Sequence, residues 1–479
     1  VADTRTASFR DPAGRLFRFP DRLVRVVGPA GQQDFDATLA SATARRHLAN
    51  GTLVSADVVP PEAYGALPAD ADLAEAVAGA ARVVTHARVA FASFPYEWPA
   101  EMLHAAGLLT LDLAQGAVSE GLGLKDATPF NVLFAGPTPV FVDWLSFERR
   151  DAHDPTWLAY AQFVRTFVLP LLAHREFGVQ AGQVFLAQRD GLEPEQVYRM
   201  AGAGRRVKPS LLAHATLPTL LGKRADKGAE PATYKPRRMS DAGRAKFVLE
   251  SLLKRLRRTL LRLAPPAATS TWTGYMADLQ HYSDSDAQRK EAFVSAALAE
   301  VAPTRVLDVG CNTGHYSFLA AKTGASVVAV DGDAAVCGRV WRSAREATLD
   351  VLPLVVNIAQ PTPATGFLNQ ECPSFLDRAT GAFDLVLMLA VLHHVLVSER
   401  VPLRDALRLA ARLTRDALVI EFVPPADPMF RRIARGREHL HQDLTREAFE
   451  AACGECFTIV RSQAAEHSSR VMYLLRRRD

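Results

Sequence analysis

The first 124 residues contain no lysine at all; the first is Lys125. Any permanent cation in that stretch must therefore be an arginine. No G-x-G-x-x-G run occurs, so no glycine-rich phosphate loop of that kind is present. The five cysteines (311, 337, 372, 453 and 456) are too few and too scattered for a disulfide framework. Cys453 and Cys456 form one C-x-x-C pair without the second pair that a zinc site would need, so no metal is expected. No N-terminal stretch joins a basic head to an apolar segment, which argues against a signal peptide. The longest apolar run, Leu385 to Val397, is broken by two histidines and is too short to span a bilayer. A cytoplasmic protein without a membrane span is expected.

The chain has 479 residues, which calls for two or three domains. Its net charge of +4 conceals a basic segment from Arg205 to Arg262. There, sixteen Lys and Arg face only Asp226, Glu230, Asp241 and Glu250. Such a segment suits an anionic partner or a solvated linker. With only Tyr234 and Phe247 as aromatics among these charges, no stacking surface is read, which argues against nucleic acid.

Residues 8 to 27 read as short strands around a turn at Asp11-Pro-Ala-Gly14. Asp36 to Leu48 and Glu101 to Glu120 read as helices. Two short strands follow near Val132 to Phe134 and Val140 to Val142, and helices fill 156 to 220. Residues 222 to 242 read as a linker. Lys246 to Leu263 is an amphipathic helix with Leu249, Leu252, Leu253, Leu256, Leu260 and Leu263 on one stripe. It suits docking on a domain; a membrane-surface role is the alternative. The expected domains are 1–220, a basic linker with helix at 221–268, and 269–479.

The strongest chemical signal is Val306-Leu-Asp-Val-Gly-Cys-Asn-Thr-Gly314. An apolar strand ends in Asp308, and small residues follow at Gly310, Asn312 and Gly314. A second apolar run, Ser326 to Val330, ends at Asp331. This is a βαβ unit for a nucleoside-bearing cofactor, with glycines where backbone comes close and a carboxylate for the ribose hydroxyls. The D-x-G-x-N-x-G spacing points to S-adenosylmethionine (SAM) rather than NAD. Further strands are expected at Leu352 to Val356, Phe383 to Leu389 and Ala417 to Phe422, with Phe457 to Val460 and Val471 to Leu475 as an antiparallel edge. Asn357 and Ile358 fall where adenine would lie.

Residues 300 to 479 thus resemble class I SAM-dependent methyltransferases. The resemblance implies a Rossmann-like α/β domain with seven strands, the last antiparallel. It also implies cofactor contacts from Asp308, Gly310, Asn312, Gly314, Asp331, Asn357, Ile358 and Leu389. Leu389-Ala-Val-Leu-His-His394, Pro361-Thr-Pro363 with Gly366, and Glu421-Phe-Val-Pro424 are similar to a bacterial group of two-part methyltransferase-like proteins. That group includes nodulation-associated members. His393 and His394 stand beyond the fourth strand and Glu421 at the end of the next, so these three are candidates for the base or for positioning the acceptor. Asn369, Glu371 and Arg378 are candidates to line the acceptor pocket.

In the first part of the chain, Asp126, Asn131 and Asp143 have the spacing of the base and metal ligands of protein kinases and aminoglycoside phosphotransferases. Residues 1 to 220 therefore resemble an α+β kinase-like fold, with ATP and Mg²⁺ as the ligands of a working site. Two phosphate clamps of that family are missing. Arg25, on the third strand, is the nearest stand-in for the lysine, and Gly14 alone marks the turn. An inactive kinase-like binding module is expected, with Glu97 and Trp98 near its hinge. The functional expectation is SAM-dependent methyl transfer to an O or N atom of a small molecule or biosynthetic intermediate. The alternatives are a bifunctional kinase-methyltransferase and a SAM-binding scaffold without catalysis. The sequence leaves oligomeric state open.

Overall fold

The computed structural model describes residues 6–8, 11–225, 238–266 and 284–478. The expected linker at 222–242, and the helix expected from Thr269 onward, lie in part outside them. The chain divides into two compact units, Val1–Pro266 and Ala267–Asp479. Among the described residues, no helix is long and apolar enough to cross a membrane.

The first unit opens with β1 (Thr6–Ser8), β2 (Gly14–Arg18) and β3 (Leu23–Val27), and adds β4 (Asp57–Val59) and β5 (Arg82–His86). These form an antiparallel sheet in the order β1-β2-β3-β5-β4. β4 and β5 were not anticipated, although Val83 and Val84 are fully buried. Gly14 has no room for a side chain: a Cβ there would lie 2.5 Å from the Val26 carbonyl oxygen. The helix expected over Asp36 to Leu48 is two helices, Pro29–Leu39 and Ala42–Ala49. Ser41 breaks it, because its side chain accepts from the Ala44 N–H and caps the second helix.

The long Ala100–Ser119 helix follows, then β6 (Leu122–Leu124), β7 (Val132–Ala135), β8 (Thr138–Phe141) and β9 (Phe147–Arg149). β7 pairs with β8 and β6 with β9. Helices dominate residues 160–225, with π-helical turns at Val164–Val168 and Leu212–Thr216. The amphipathic helix spans Ala242–Arg262 and lies against Ala100–Ser119. Its Leu249, Leu253, Leu256 and Leu260 are buried, each contributing roughly 2 kcal/mol of apolar burial. Gly107 admits Leu260, Arg257 pairs with Asp112 at 3.2 Å, and Lys246 donates to the Ser119 carbonyl. The apolar stripe is thus covered by protein, and this helix is part of the first unit.

The second unit begins with the Asp284–Val301 helix and alternates β10 (Arg305–Val309), β11 (Ser326–Asp331), β12 (Val351–Val355), β13 (Phe383–Met388) and β14 (Thr414–Phe422) with helices. β15 (Phe457–Ala464) and β16 (Val471–Arg477) complete a seven-stranded sheet in the order β12-β11-β10-β13-β14-β16-β15. The expected α/β fold with seven strands is therefore present. The last strand, β16, is antiparallel as expected; it inserts between β14 and β15, so β15 is the edge. β16 is apolar and buried from Val471 to Leu475, whereas β15 is mostly exposed, so burial sends the later strand inward. The order reverses between β10 and β13, and the ends of these strands are where open α/β sheets hold ligands.

Candidate functional site

The loop after β10 is built to fit against its surroundings. Gly310 has φ +71, and the N–H groups of Gly310 and Cys311 both donate to the Val330 carbonyl, at 2.8 and 3.1 Å. A Cβ on Gly310 would lie 2.9 Å from Cγ2 of Val391. The glycine is thus required by the Val391 side chain that covers it, and not only by a cofactor. Gly314, at φ +83, starts the His315–Lys322 helix. Asn312 holds φ +45, which asparagine tolerates better than most residues. Its N–H donates to Oδ2 of Asp331 at 3.1 Å, while its own Oδ1 is buried without a hydrogen-bond partner. A buried acceptor left unmade costs about 1–3 kcal/mol, so this atom awaits a donor.

Asp308 is buried and accepts from the Ser317 hydroxyl at 2.6 Å. Burial pushes its carboxyl up to about 6, with the Ser317 bond opposing. Asp331 is aimed by two backbone donors, Asp333 N–H on Oδ1 at 2.9 Å and Asn312 N–H on Oδ2. Burial raises its pKa as well. Such a carboxylate gains from hydroxyl donors such as those of a ribose. Ile358 and Leu389 are buried beside these strand ends. Asn357 is engaged otherwise: its amide donates to Glu399 at 2.9 Å and its Oδ1 accepts from the Ala359 N–H. Asn312, Asp331 and the glycine turn fit SAM on the strength of that unmet acceptor and the oriented carboxylate.

His393 lies in the Leu392–Val397 helix and is only 2 % exposed. Neither ring nitrogen has a hydrogen-bond partner. Burial, then the neighbouring His394, depress its pKa to about 3, so a histidine's usual readiness to take a proton near neutrality is lost. His394 is shifted down too, mainly by burial, and stands with its ring 4.4 Å from that of His393. Glu421, at the end of β14, is buried and held by Lys290 at 2.5 Å and by Arg470 at 3.5 Å. Arg470 also grips Asp427 with Nε and Nη2 at 2.8 and 3.2 Å. Lys290 and Arg470 flank Glu421 in a pocket that Asp286 and Met472 also line. Sequence reasoning missed Lys290, Arg470 and Ser317, because each meets its partner only through the fold. Of the other pocket candidates, Asn369 is exposed at φ +57 and Arg378 folds back onto the Ser374 carbonyl. Glu371 lies under Gly366, where a Cβ would meet its side chain.

Several polar residues of the first unit are joined to one another. Arg25, 5 % exposed on β3, donates from Nη1 to Oδ1 of Asp143 at 3.0 Å and from Nε to Nε2 of His86 at 3.2 Å. His86 in turn reaches the Ser55 carbonyl with Nδ1 at 2.6 Å. Burial and the Arg25 charge lower the His86 pKa to about 4, consistent with a neutral ring accepting from Arg25. Ser146 donates to Oδ2 of Asp143 at 2.5 Å and accepts from the Asn131 amide at 2.9 Å. Asp126 is half-buried, its pKa raised by burial and then by Asp143. Lys125 pairs with Asp11 at 3.4 Å. Glu97 and Trp98 are buried; Glu97 accepts from the Phe94 N–H, and Trp98 donates to Ser93.

Comparison with known proteins agrees with this geometry. The family described as "Methyltransferase domain" matches residues 251–463. The chain is 28% identical over 481 residues to the nodulation protein NoeA of Rhizobium meliloti (strain 1021), covering 98% of this chain and 96% of the relative. Among solved structures, N-methyltransferase NodS of Bradyrhizobium japonicum WM9 is similar at 15% identity and a TM-score of 0.31, over 41% of this chain and 98% of that one. The bifunctional kinase-methyltransferase WbdD is similar at 19% identity and a TM-score of 0.30, over 40% of each chain. The matched residues, the strand order and the loop after β10 agree: the C-terminal part of this chain is a SAM-dependent methyltransferase domain.

Proposed function

We propose that the protein methylates an oxygen or nitrogen of a small molecule or biosynthetic intermediate, and that the rim beyond β13 and β14 receives that acceptor. The observation that carries the reading is the pair of unmet polar groups in the second unit: Oδ1 of Asn312 in the cofactor loop and the two ring nitrogens of His393. Asp331, Asn312 and the Gly310–Gly314 turn would hold SAM, whose sulfonium supplies an electrophilic methyl group. The protein then has to align a nucleophile and keep water away. His393, neutral and buried, is suited to orient an acceptor by a hydrogen bond. Glu421 is engaged by two cations, Lys290 and Arg470. With His393 a poor proton acceptor, a nitrogen nucleophile that loses its proton after attack fits this rim better than a hydroxyl. In this proposal the first unit binds or presents the acceptor, or regulates. The location is cytoplasmic, in keeping with five unpaired cysteines.

Calorimetric titration with SAM and S-adenosylhomocysteine tests the reading, with binding of both expected. Absence of binding by either would remove it. Once an acceptor is in hand, His393→Ala is expected to lower kcat about tenfold to a hundredfold with SAM affinity unchanged. An unchanged kcat would exclude His393 from the acceptor site.

A further inference from the structure

The first unit carries a second constellation that methyl transfer does not use. Five side chains form one continuous chain of bonds: His86, Arg25, Asp143, Ser146 and Asn131. It ties β3 and β5 to the loops around β7 and β8. Asp143 and Asn131 hold the places that would bind Mg²⁺ in a kinase-like site, and here both oxygens of Asp143 already have partners. One Asp143 oxygen faces a guanidinium and the other a hydroxyl. The Asn131 amide is engaged by that same hydroxyl.

We propose that Arg25 is the resident cation of the first unit: its guanidinium takes the place of a divalent ion, and the site stays closed to metal-bound nucleotide. The charge balance supports this. Arg25 is buried, so its charge must be compensated, and Asp143 is the carboxylate paired with it. A divalent ion would have to displace the guanidinium and leave it buried beside a second cation. A lysine at position 25 could withdraw on its flexible stem to a phosphate. A guanidinium bonded at once to His86, Asp143 and the Val142 carbonyl is fixed by three partners. In this reading the unit is a permanently closed binding or positioning module.

The test is thermal unfolding of the full chain with MgCl₂, MnCl₂ and Mg·ATP, for the unaltered protein and for Arg25→Ala. The unaltered protein is expected to show no shift with any of the three. Arg25→Ala is expected to unfold at lower temperature and to regain about 3 °C or more with millimolar Mn²⁺, because the Asp143 carboxylate then lacks its cation. Stabilisation of the unaltered protein by Mg·ATP would overturn the proposal. So would an Arg25→Ala protein that is destabilised but indifferent to Mn²⁺, since Arg25 would then be packing alone. If Arg25→Ala does not fold, Asp143→Asn decides. A midpoint lowered equally with and without metal is expected. A loss seen only when metal is present would mark a true metal site. SAM binding is measured on the same samples, so failure of the methyltransferase reading is seen separately.

Discussion

The two units treat similar polar residues in opposite ways. In the second, Oδ1 of Asn312 and the ring nitrogens of His393 are buried with hydrogen-bonding capacity unmet, and Asp308 is buried against its preference for water. In the first, Arg25, Asp143, Ser146 and Asn131 are bonded to one another. The difference teaches how an open site is told from a closed one without a bound ligand. An open site holds unfavourable free energy that a ligand can relieve. A closed site has already used its bonding capacity on itself and stabilises the fold instead.

That contrast can be broken most forcefully at Gly310. Gly310→Val places a branched side chain at φ +71 and against Val391, at a cost of about 3 kcal/mol or more. SAM affinity is expected to fall more than a hundredfold by calorimetry. Next come two substitutions of the same chemistry with opposite sign. Asp308→Asn removes a carboxyl whose pKa is raised from 3.8 to about 6. At pH 7 it should stabilise the second unit by roughly 3 kcal/mol while weakening SAM binding. Asp143→Asn leaves Arg25 buried without its counter-charge and should destabilise the first unit by about 2 kcal/mol, after allowance for the partly exposed Asp143. Urea unfolding reads both, and equal signs would dissolve the contrast.

Acid provides a third probe. The native His86 pKa lies near 4, below the ordinary 6.5. Above pH 6.5 the ring is neutral in both states and nothing is lost. As pH falls below 6.5 the unfolded chain takes up a proton that the native ring refuses. Stability should drop by about 2 kcal/mol between pH 6.5 and 5 from this group, and His86→Gln should flatten that part of the profile. Asp308 works the other way, favouring the native state as pH falls from about 6 towards 3.8. The smallest expected effect is at Asn312→Gly. Relief of the positive φ and of the unmet acceptor should raise stability without ligand by about 1 kcal/mol, seen as a higher Tm.

The legible parts of the fold were those with local causes. The strand ends at Asp308 and Asp331, the turn glycines and the apolar β13 follow from residues adjacent in the chain. The amphipathic helix could be read from its leucine stripe, but what it docks on could not. The break at Ser41 had a local cause too, a capping residue, but the sequence reads through it as one helix. The rest depended on contacts across the fold. Arg25 reaches Asp143 over 118 positions, and Lys290 reaches Glu421 over 131. His393 could be placed just beyond the end of β13, yet its burial, which changes its chemistry, comes from elements far away in sequence such as Phe430. Asn357 lies just beyond its strand end as expected, but its side chain is drawn to Glu399.

The contrast between an open and a closed site is tested most directly by titrating one preparation of the full chain with S-adenosylhomocysteine and then with Mg·ATP in a calorimeter. The account predicts saturable heat at one site per chain for the first and none for the second. Heat from Mg·ATP with Arg25 in place, or none from S-adenosylhomocysteine, would contradict it.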